Sequence, residues 1–425
     1  MFINKHRFAD PMDKELLKDV LLSQTPRTET KIVRRTILSK ITELSGTPFI
    51  IIISGVRRCG KSTVLQHIRT DNCYYINFDD DRLINFTVDD FQLMYDILIE
   101  LFGQKKIFIF DEIQNVQGWE RFVRRLHNEK MKIYISGSNS SMLSTELGTR
   151  LTGRNVSLSM FPFSFSEYLE LKELSHRTAN ITSSERALLK RAYNDYITEG
   201  GFPEYLITKK EDYLRTLYEN IIYRDIITRY KLTYEKTIKQ TTYYIASNVG
   251  KELSFNTLKK LTGLTSATTI KQYLEYLENS FLAFLVPRYS ASLKRQIYSP
   301  KKVYFIDTCL ARLLGFRPGG DQGRLMENVV FLSLKRKNHE IYFHRETHEC
   351  DFIVRSKGKI SQSIQVTISL TESNKEREIA GLLEAMKQYQ LSEGLIITED
   401  QSEEIAIGKK RVLVVPIWKW LLENE

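Results

Sequence analysis

The segment from Gly55 to Thr63 could bind the phosphates of a nucleotide. It follows the apolar run 49–53, which predicts a buried strand, and it contains the spacing Gly-x-x-x-x-Gly-Lys-Ser. Glycines at this spacing let successive backbone N–H groups point at one phosphate, at the positive end of the following helix. Lys61 would reach the outer phosphates and the Ser62 hydroxyl would hold Mg²⁺, whereas an ordinary strand-to-helix turn would need neither. The predicted nucleotide-binding residues are Gly55, Val56, Arg57, Arg58, Cys59, Gly60, Lys61, Ser62 and Thr63.

Two acidic residues at the end of a later strand-like run could complete this site. Asp111 and Glu112 follow the apolar run 107–110, one strand-helix interval after the phosphate loop. An acid at this place binds Mg²⁺ through water, and a neighbouring acid polarises the water that attacks the γ-phosphorus. We therefore predict Asp111, with Ser62, as a metal ligand and Glu112 as the catalytic base. The predicted cofactors are ATP and Mg²⁺.

Three further side chains are candidates for contact with the reacting phosphate. Ser138 and Asn139 follow the next strand-like run, where a polar side chain can bind the γ-phosphate or the attacking water. A plain Ser/Gly turn is the alternative at these two positions. Arg154, with Arg150 as second choice, could be an arginine finger, in a neighbouring subunit or in its own. A solvated surface arginine is the alternative.

The elements that would position these residues alternate between strand and helix. Residues 31–170 contain strand-like runs separated by helical patterns, which predicts an α/β domain with a parallel sheet covered on both faces. Ligands of such a domain bind beyond the carboxyl ends of its strands. A helical lead-in is predicted over residues 1–30. The predicted strands are 49–53, 74–78, 107–110, 132–136 and 155–159.

The remainder of the chain predicts three more regions. Residues 171–245 have a long helical pattern, and residues 246–290 predict a winged-helix-like domain with helices over 254–261 and 266–277. The second of these helices offers only Lys271 as a cation, so a DNA reader and a purely structural winged helix stay open. Residues 291–425 return to α/β. The predicted strands there are 303–306, 340–344, 351–355, 363–368 and 394–397, with a helix over 373–390.

Composition limits the class of protein. The chain has 425 residues, 42% hydrophobic and 27% charged, which predicts a globular protein of several domains. Its apolar runs are too short to cross a bilayer and no signal-peptide core is visible, so we expect a cytoplasmic protein without a membrane partner. The four cysteines form no C-x-x-C pair, which argues against a disulfide frame or structural metal. The net charge of +10 favours a polyanionic partner such as nucleic acid, although the cations are spread along the chain.

From about residue 32 to its end, the chain resembles the prokaryotic AAA+-type ATPases that carry a winged helix and a C-terminal restriction-endonuclease-like domain. This resemblance implies ATP binding and hydrolysis, while the biological role of that family is not settled. The motifs that carry it begin at Gly55, Phe110, Ser136, Leu151, Pro162, Gly200, Tyr223, Tyr304, Glu327 and Asp351.

The resemblance also implies a Mg²⁺-dependent nuclease site in the last region, and the residues fulfil it only in part. Such a site needs an acid and then another acid-x-Lys on the next strand. Glu327 and Asp351 are in place, but Gln365 and Thr367 stand where the acid-x-Lys carboxylate and lysine belong. We therefore predict a domain that does not cleave DNA. Two carboxylates could still hold a metal weakly, with Lys359 as a substitute lysine.

These observations predict a Mg²⁺-dependent ATPase whose nucleotide cycle rearranges its domains, acting on or near DNA. One alternative is a nucleotide-gated binding or switch protein with little hydrolysis. Another is a metal-dependent DNA nuclease coupled to the ATPase, against which Gln365 and Thr367 argue. The partners expected are ATP, DNA or another protein, and further copies of the same chain.

Overall fold

The computed structural model describes residues 12–24, 33–138, 153–174, 177–264, 266–315 and 321–425. These residues form two compact units. The first runs to Met160 without residues 56–59, and the second contains residues 56–59 together with the chain from Phe161 onward. Within the described ranges, no helix combines the length and the apolar content that crossing a membrane requires.

The first unit is built on a five-stranded parallel sheet with the strand order β2-β3-β4-β1-β5. All five predicted strands are present, with ends that differ from the prediction by no more than two residues. The strands are β1 (Ile50–Gly55), β2 (Cys73–Asn77), β3 (Ile107–Asp111), β4 (Lys132–Gly137) and β5 (Asn155–Met160). The helices are α1 (Lys14–Ser23), α2 (Ile37–Ser45), α3 (Lys61–His67), α4 (Phe91–Phe102) and α5 (Glu120–Asn128). Single 3₁₀ turns cover Asp81–Leu83, Val88–Asp90 and Ile113–Asn115.

The core of the first unit explains why its strands are apolar throughout. A parallel sheet covered on both faces buries every residue of its central strands, so they carry continuous apolar runs instead of alternating ones. The four isoleucines 50–53 of β1 are fully buried. On one face of the sheet, Ile52, Phe110 and Ile135 share a core with Trp119 and with Leu17 of α1. The helical lead-in predicted near the N-terminus is therefore packed against this core.

The second unit begins with a helical region. Its π-helix is a deviation that the helical pattern did not predict, and such segments are often found at functional sites. The elements are α6 (Phe165–Leu171), α7 (Ser183–Glu199), α8 (Pro203–Thr208), α9 (Glu211–Asn220), a π-helix (Ile221–Thr228) and α10 (Glu235–Ser247). Between α7 and α8, Gly200 has a left-handed backbone, and an added Cβ would clash with Asp307. The next residue, Gly201, donates its N–H to Asp307 Oδ2 at 2.7 Å.

Two helices and a small antiparallel sheet follow, close to the predicted positions. Ser254 and Ser266 cap the two helices, and Gly263 ends the first of them in a left-handed conformation. The elements are β6 (Glu252–Leu253), α11 (Phe255–Thr262), α12 (Ala267–Asn279), β7 (Ala283–Pro287), α13 (Leu293–Tyr298), β8 (Lys301–Phe305) and α14 (Thr308–Leu314). The strand order is β6-β8-β7, so β8 is the middle strand although it lies beyond the domain boundary predicted at residue 290.

The last part of the second unit is a six-stranded mixed sheet with the order β13-β14-β12-β11-β10-β9. The elements are α15 (Gln322–Arg336), β9 (Glu340–Arg345), β10 (Glu349–Ser356), β11 (Lys359–Val366), α16 (Lys375–Gln388), β12 (Glu393–Thr398), β13 (Glu403–Ile407), β14 (Lys410–Pro416) and α17 (Ile417–Asn424). The β10–β11 hairpin turns at Lys357 and Gly358, which both have positive φ as such tight turns require. Because of this turn, β11 begins four residues earlier than predicted. The hairpin of β13 and β14 was not predicted.

Candidate functional site

The phosphate loop leads from β1 into α3 through a backbone that needs glycine. Gly60 has φ +101°, and a Cβ there would lie 3.1 Å from Arg35 Nη1 and 3.4 Å from Met160 Cε. A left-handed backbone with so little space excludes ordinary side chains. Arg58 also has a positive φ of 64°, which is uncommon for a residue other than glycine. Non-glycine residues in this region store strain, and they concentrate at functional sites.

Lys61 begins α3 and lies beneath the loop. Its side chain is only 5% exposed. Its Nζ donates to the carbonyl oxygen of Gly55 at 3.0 Å and lies 3.7 Å from Glu112 Oε1. The fold therefore brings the predicted phosphate-binding lysine and the predicted catalytic base together, although 51 positions separate them in the sequence.

Asp111 ends β3 and is almost completely buried. Its carboxylate accepts hydrogen bonds from the Ser136 hydroxyl and, at 3.0 Å, from the Tyr75 hydroxyl. Burial, and then the charge of Glu112, raise the pKa of Asp111, while hydrogen bonds from Ser136, Ser62 and Tyr75 oppose that rise. A buried carboxylate beside a second acid favours a nearby cation. Asp111 and Ser62 therefore fit the predicted Mg²⁺ site.

Glu112 has a strained backbone, with φ 52° and ψ 37°. Its N–H donates to Ser136 Oγ at 3.3 Å, and its carboxylate accepts a hydrogen bond from the side-chain amide of Gln114. This left-handed conformation turns the chain sharply at the end of β3 and leaves the carboxylate near Lys61. A strained acid placed in this way is the kind of outlier that justifies a functional hypothesis.

Ser136, Tyr75 and Gln114 are site residues that sequence reasoning missed. Parallel pairing aligns Phe110 with Ile135, so the next residues, Asp111 and Ser136, are neighbours across the strands. The sequence therefore contained a signal for Ser136. This residue follows the last apolar residue of β4, as Asp111 follows the last apolar residue of β3. Tyr75 gave no such signal, since its position within β2 predicts only packing.

The other predicted residues of this region differ in their exposure. Val56 and Cys59 are fully buried, so their side chains are not exposed at the loop surface. Ser62 and Thr63 are exposed at the start of α3, and Ser138 is buried just beyond β4. Asn139 and Arg150 lie outside the described residues, so their predicted roles stay predictions.

Arg154 lies at the amino end of β5 and not at the end where the phosphate loop begins. Its carbonyl oxygen accepts from Ile50 N at 2.9 Å, and its Nη1 donates to Asn128 Oδ1 at 3.0 Å. The loop starts five residues further along the paired strands, at Gly55, a length of about 17 Å at the usual rise per residue. This placement argues against a finger that acts on the nucleotide of its own chain. A role in a neighbouring copy stays a prediction.

Arg57 is bound by an acid of the second unit, to which residues 56–59 belong. Its Nε and Nη2 each donate to the Asp225 carboxylate at 3.0 Å, and Asp225 lies in the π-helix. Asp225 is 2% exposed and also lies 3.8 Å from Arg229. A bidentate pair of this kind fixes the guanidinium in one orientation. The structure therefore gives Arg57 a carboxylate partner, whereas Arg58 is exposed.

A second cluster of chemically relevant residues lies in the second unit. Glu327 of α15 and Asp351 of β10 line a cleft of about 740 Å³, and Gln365 of β11 lines it too. The sequence predicted that Glu327 and Asp351 would lie together, and they do. Lys359, the proposed substitute lysine, begins β11 at an exposed position and is absent from the lining. Among the described residues, no group of three or more His, Cys, Asp or Glu side chains is arranged to hold a metal ion.

The predicted recognition helix, α12, has little cationic surface. Lys271 lies over the aromatic rings of Phe255 and Tyr298, at 5.2 Å and 6.0 Å from their centroids. Cation–π contacts of this kind hold a lysine against its own domain. The position of Lys271 therefore does not support the alternative in which α12 reads DNA.

Family models match three consecutive segments of the chain. An AAA domain matches residues 47–169, and two domains of unknown function, DUF8612 and DUF4143, match residues 190–319 and 322–420. The first match, together with the parallel sheet of the first unit, confirms the predicted AAA+-like α/β fold and supports nucleotide binding. The matched descriptions name neither a winged helix nor a restriction-endonuclease-like domain, so both labels stay predictions.

Solved structures show only distant similarity. The AMPPCP-bound DnaA of Aquifex aeolicus is 16% identical with a TM-score of 0.25, covering 57% of this chain and 86% of that one. A STAND ATPase with a tetratricopeptide repeat sensor, PH0952 of Pyrococcus horikoshii, is 16% identical with a TM-score of 0.27, covering 73% and 46%. TM-scores this low support no inference about the arrangement of the domains or about binding partners.

Curated relatives match along nearly their whole length. The uncharacterized protein MJ1544 of Methanocaldococcus jannaschii is 34% identical over 442 residues, covering 98% of this chain and 97% of the relative. An uncharacterized protein of Haemophilus influenzae is 31% identical over 407 residues, covering 91% and 98%. The chain therefore belongs to the family of MJ1544.

Proposed function

We propose that this protein is a Mg²⁺-dependent ATPase whose nucleotide cycle rearranges its domains. The observation that supports this most strongly is the meeting of Lys61, Asp111 and Glu112 where β1 and β3 end. Ligands of parallel sheets bind at that edge. An isolated loop motif occurs by chance, but a buried lysine at the start of α3 within 4 Å of an acid that follows β3 requires the whole fold.

The roles follow from the chemistry of each group. The backbone N–H groups of the loop and Lys61 would hold the β- and γ-phosphates, and Glu112 would orient the attacking water. Asp111 and Ser62 would hold Mg²⁺, which neutralises phosphate charge when bound. Ser136 would keep the Asp111 carboxylate in place, because its hydroxyl bonds that group and also accepts from the backbone of Glu112.

A second candidate function is a nucleotide-gated switch with slow hydrolysis. The Glu112 carboxylate is engaged by Gln114 and lies near Lys61 in the structure. A base that is paired with the phosphate-binding lysine must leave that lysine before it can orient water. ATP turnover would then depend on a conformational step, as in proteins that use a nucleotide as a switch.

Two substitutions separate binding from turnover. Lys61→Ala should abolish measurable ATP binding, because it removes the buried cation that faces the phosphates. Glu112→Gln should retain binding and lower kcat by about 10²–10³-fold, the usual contribution of a general base. Binding is measured with a fluorescent ATP analogue and turnover by phosphate release.

Two exposed positions provide matched controls for that experiment. Lys106→Ala and Glu129→Gln make the same chemical changes on the surface of the first unit and should leave both values unchanged. Unaltered turnover in Glu112→Gln would remove this residue from the role of base. Slow turnover already in the unmodified protein, with tight binding, would favour the switch.

The proposal also includes two further partners, a neighbouring copy of the chain and nucleic acid. If Arg154 acts in a neighbouring copy, specific activity should rise with protein concentration, and Arg154→Ala should remove that rise. If nucleic acid is a partner, DNA or RNA should stimulate turnover, and added salt should weaken the stimulation because phosphate contacts release counterions. Activity that is independent of concentration and of nucleic acid would contradict both roles.

A further inference from the structure

The carboxylates of the cleft in the second unit already have a cation of their own. The Nζ of Lys302 lies 3.0 Å from Glu327 Oε1, 2.8 Å from Asp351 Oδ1 and 2.7 Å from Glu349 Oε1. Lys302 belongs to β8, in a different sheet from β10, which carries Asp351 and Glu349. Its side chain is 2% exposed, so this ammonium is held by protein and not by solvent.

Carboxylate oxygens that Mg²⁺ would need already accept hydrogen bonds from protein donors. Glu327 Oε1 also accepts from the Tyr304 hydroxyl at 2.6 Å, and Asp351 Oδ2 accepts from Val366 N at 2.9 Å. Mg²⁺ requires several oxygen ligands at about 2.0–2.1 Å in near-ideal octahedral geometry. A dication bound to the free sides of these oxygens would lie close to the ammonium, and the two cations would repel each other.

Gln365 and Thr367 do not provide replacement ligands. The amide oxygen of Gln365 accepts from Asp351 N at 3.2 Å, and its amide nitrogen donates to Glu378 Oε2 at 2.7 Å. The Thr367 hydroxyl donates to Ser369 O at 3.4 Å. The glutamine is thus a hydrogen-bonded spacer between two acids. The residues present do not fit the metal that the nuclease resemblance implies.

The charges of the cluster agree with Lys302, and not a metal ion, as the cation that these carboxylates bind. One ammonium faces Glu327, Asp351 and Glu349, which leaves an excess of negative charge. Burial raises the pKa of Glu327 to about 7 in spite of Lys302, and burial also raises the pKa of Asp351. Proton uptake by one carboxyl therefore relieves the excess that Lys302 leaves. Without Lys302, the same three carboxylates would have a strong need for a cation.

We infer that Lys302 is the resident cation of this site and occupies the place where a nuclease of similar architecture would bind a divalent ion. The nuclease pattern places its lysine two residues after Gln365, where this chain has Thr367. The lysine comes instead from β8, and it contacts the carboxylates directly. In this position it offsets part of the negative charge of the cluster and takes the place of a metal ion.

Manganese binding to the full-length protein tests this inference. The free Mn²⁺ signal in electron paramagnetic resonance is titrated without nucleotide, so that the phosphate loop contributes little. The unmodified protein should show no Mn²⁺ site that depends on Asp351. Lys302→Gln should create one and tighten Mn²⁺ binding by at least about tenfold, because a positive charge is removed from beside three carboxylates. Adding Asp351→Asn to that variant should abolish the new site.

A thermal measurement gives a readout that is independent of any activity. Mn²⁺ should raise the melting temperature of Lys302→Gln and leave that of the unmodified protein unchanged, because binding to the folded state alone stabilises it. Lys335→Gln is the matched control. It removes a lysine from α15, eight residues and about 12 Å along the helix from Glu327, and should gain no Mn²⁺ response.

Three results would overturn the inference. The first is an Asp351-dependent Mn²⁺ site in the unmodified protein, a measurement that needs no variant to fold. The second is a folded Lys302→Gln protein that gains no Mn²⁺ affinity. The third is plasmid cleavage with Mg²⁺ or Mn²⁺ that is lost in both Lys302→Gln and Asp351→Asn, because Lys302 would then be a catalytic lysine.

Discussion

The two units each place a lysine among carboxylates, but the distances differ. In the first unit, Lys61 Nζ lies 3.7 Å from its nearest carboxylate oxygen in Glu112 and bonds a backbone carbonyl instead. In the second unit, Lys302 lies within 3.0 Å of three carboxylates. Asp111, next to Glu112, is held by neutral hydroxyl groups, whereas Asp351 is held by the ammonium itself.

This difference shows how a site can be prepared for an external charge or closed to it. Hydroxyl groups position the Asp111 carboxylate without cancelling its charge, so a bound cation can still be stabilised there. A lysine in direct contact offsets part of the carboxylate charge and repels an incoming cation, which therefore gains less. We expect nucleotide and metal chemistry in the first unit and a cluster that binds no metal in the second.

The largest expected effect is on stability, when the cluster of the second unit loses its lysine. Lys302→Met should lower the free energy of unfolding by about 3–5 kcal/mol, because buried carboxylates lose their counterion. Lys61→Met should lower it less, since Glu112 lies 3.7 Å from that lysine, a longer distance than those around Lys302. Urea denaturation, followed by tryptophan fluorescence and circular dichroism, measures both.

The exposed pair of Lys190 and Asp400 is the control for this comparison. Both side chains are at least a third exposed, so Lys190→Met should change stability by no more than about 1 kcal/mol. An equal loss of stability in Lys61→Met and Lys302→Met would mean that the two lysines contribute equally to stability, although their distances to carboxylates differ.

A pH-dependent effect of intermediate size is expected from Glu327. Its pKa is about 7 in the folded protein against an ordinary value of 4.5, so the folded state keeps a proton that the unfolded state loses. The stability that this group contributes should therefore fall as pH rises from about 4.5 to about 7, by at most about 1.4 kcal/mol for each pH unit. Glu327→Gln should lack this fall.

Denaturation midpoints at pH 5 and pH 7.5, for the unmodified protein and for Glu327→Gln, measure the difference. Other groups contribute to both proteins, so the decisive quantity is the change in the gap between their midpoints. A gap that stays constant across this range would contradict the raised pKa.

The smallest expected effect concerns the hydroxyl groups of the first unit. Ser136→Ala removes one hydrogen bond to Asp111, and hydrogen bonds to charged groups contribute about 1.5–3 kcal/mol. We expect a loss of about tenfold or more in kcat/KM for ATP, together with a higher Mg²⁺ requirement. Ser157→Ala, at an exposed position of β5, is the control, and identical kinetics in the two variants would exclude a positioning role for Ser136.

The sequence allowed the strands and the phosphate loop to be predicted because their signals are local. Five apolar runs at regular intervals specified the first sheet, and glycines at fixed spacing specified the loop. The hairpin of β13 and β14 was missed because Lys409, Lys410 and Arg411 interrupt its apolar pattern at the turn. Its two strands pair with each other, and β14 also pairs with β12.

The chemistry of the second cluster could not be predicted because its partners are distant in the chain. A lysine at the start of a strand usually predicts a solvated side chain. Lys302 contacts Glu327 and Asp351, which follow it by 25 and 49 positions, and only the tertiary fold creates that contact. Tyr75 was missed for the same reason, because its hydroxyl meets an acid on the neighbouring strand.

The middle position of β8 in its three-stranded sheet has a consequence for biosynthesis. β6 and β7 emerge from the ribosome first, and each of them pairs with β8, the strand that follows, and not with the other. Until residue 305 has been made, both edges are open to foreign strands, which is a known risk for aggregation. A nascent chain stalled before that point would therefore be a good substrate for chaperones.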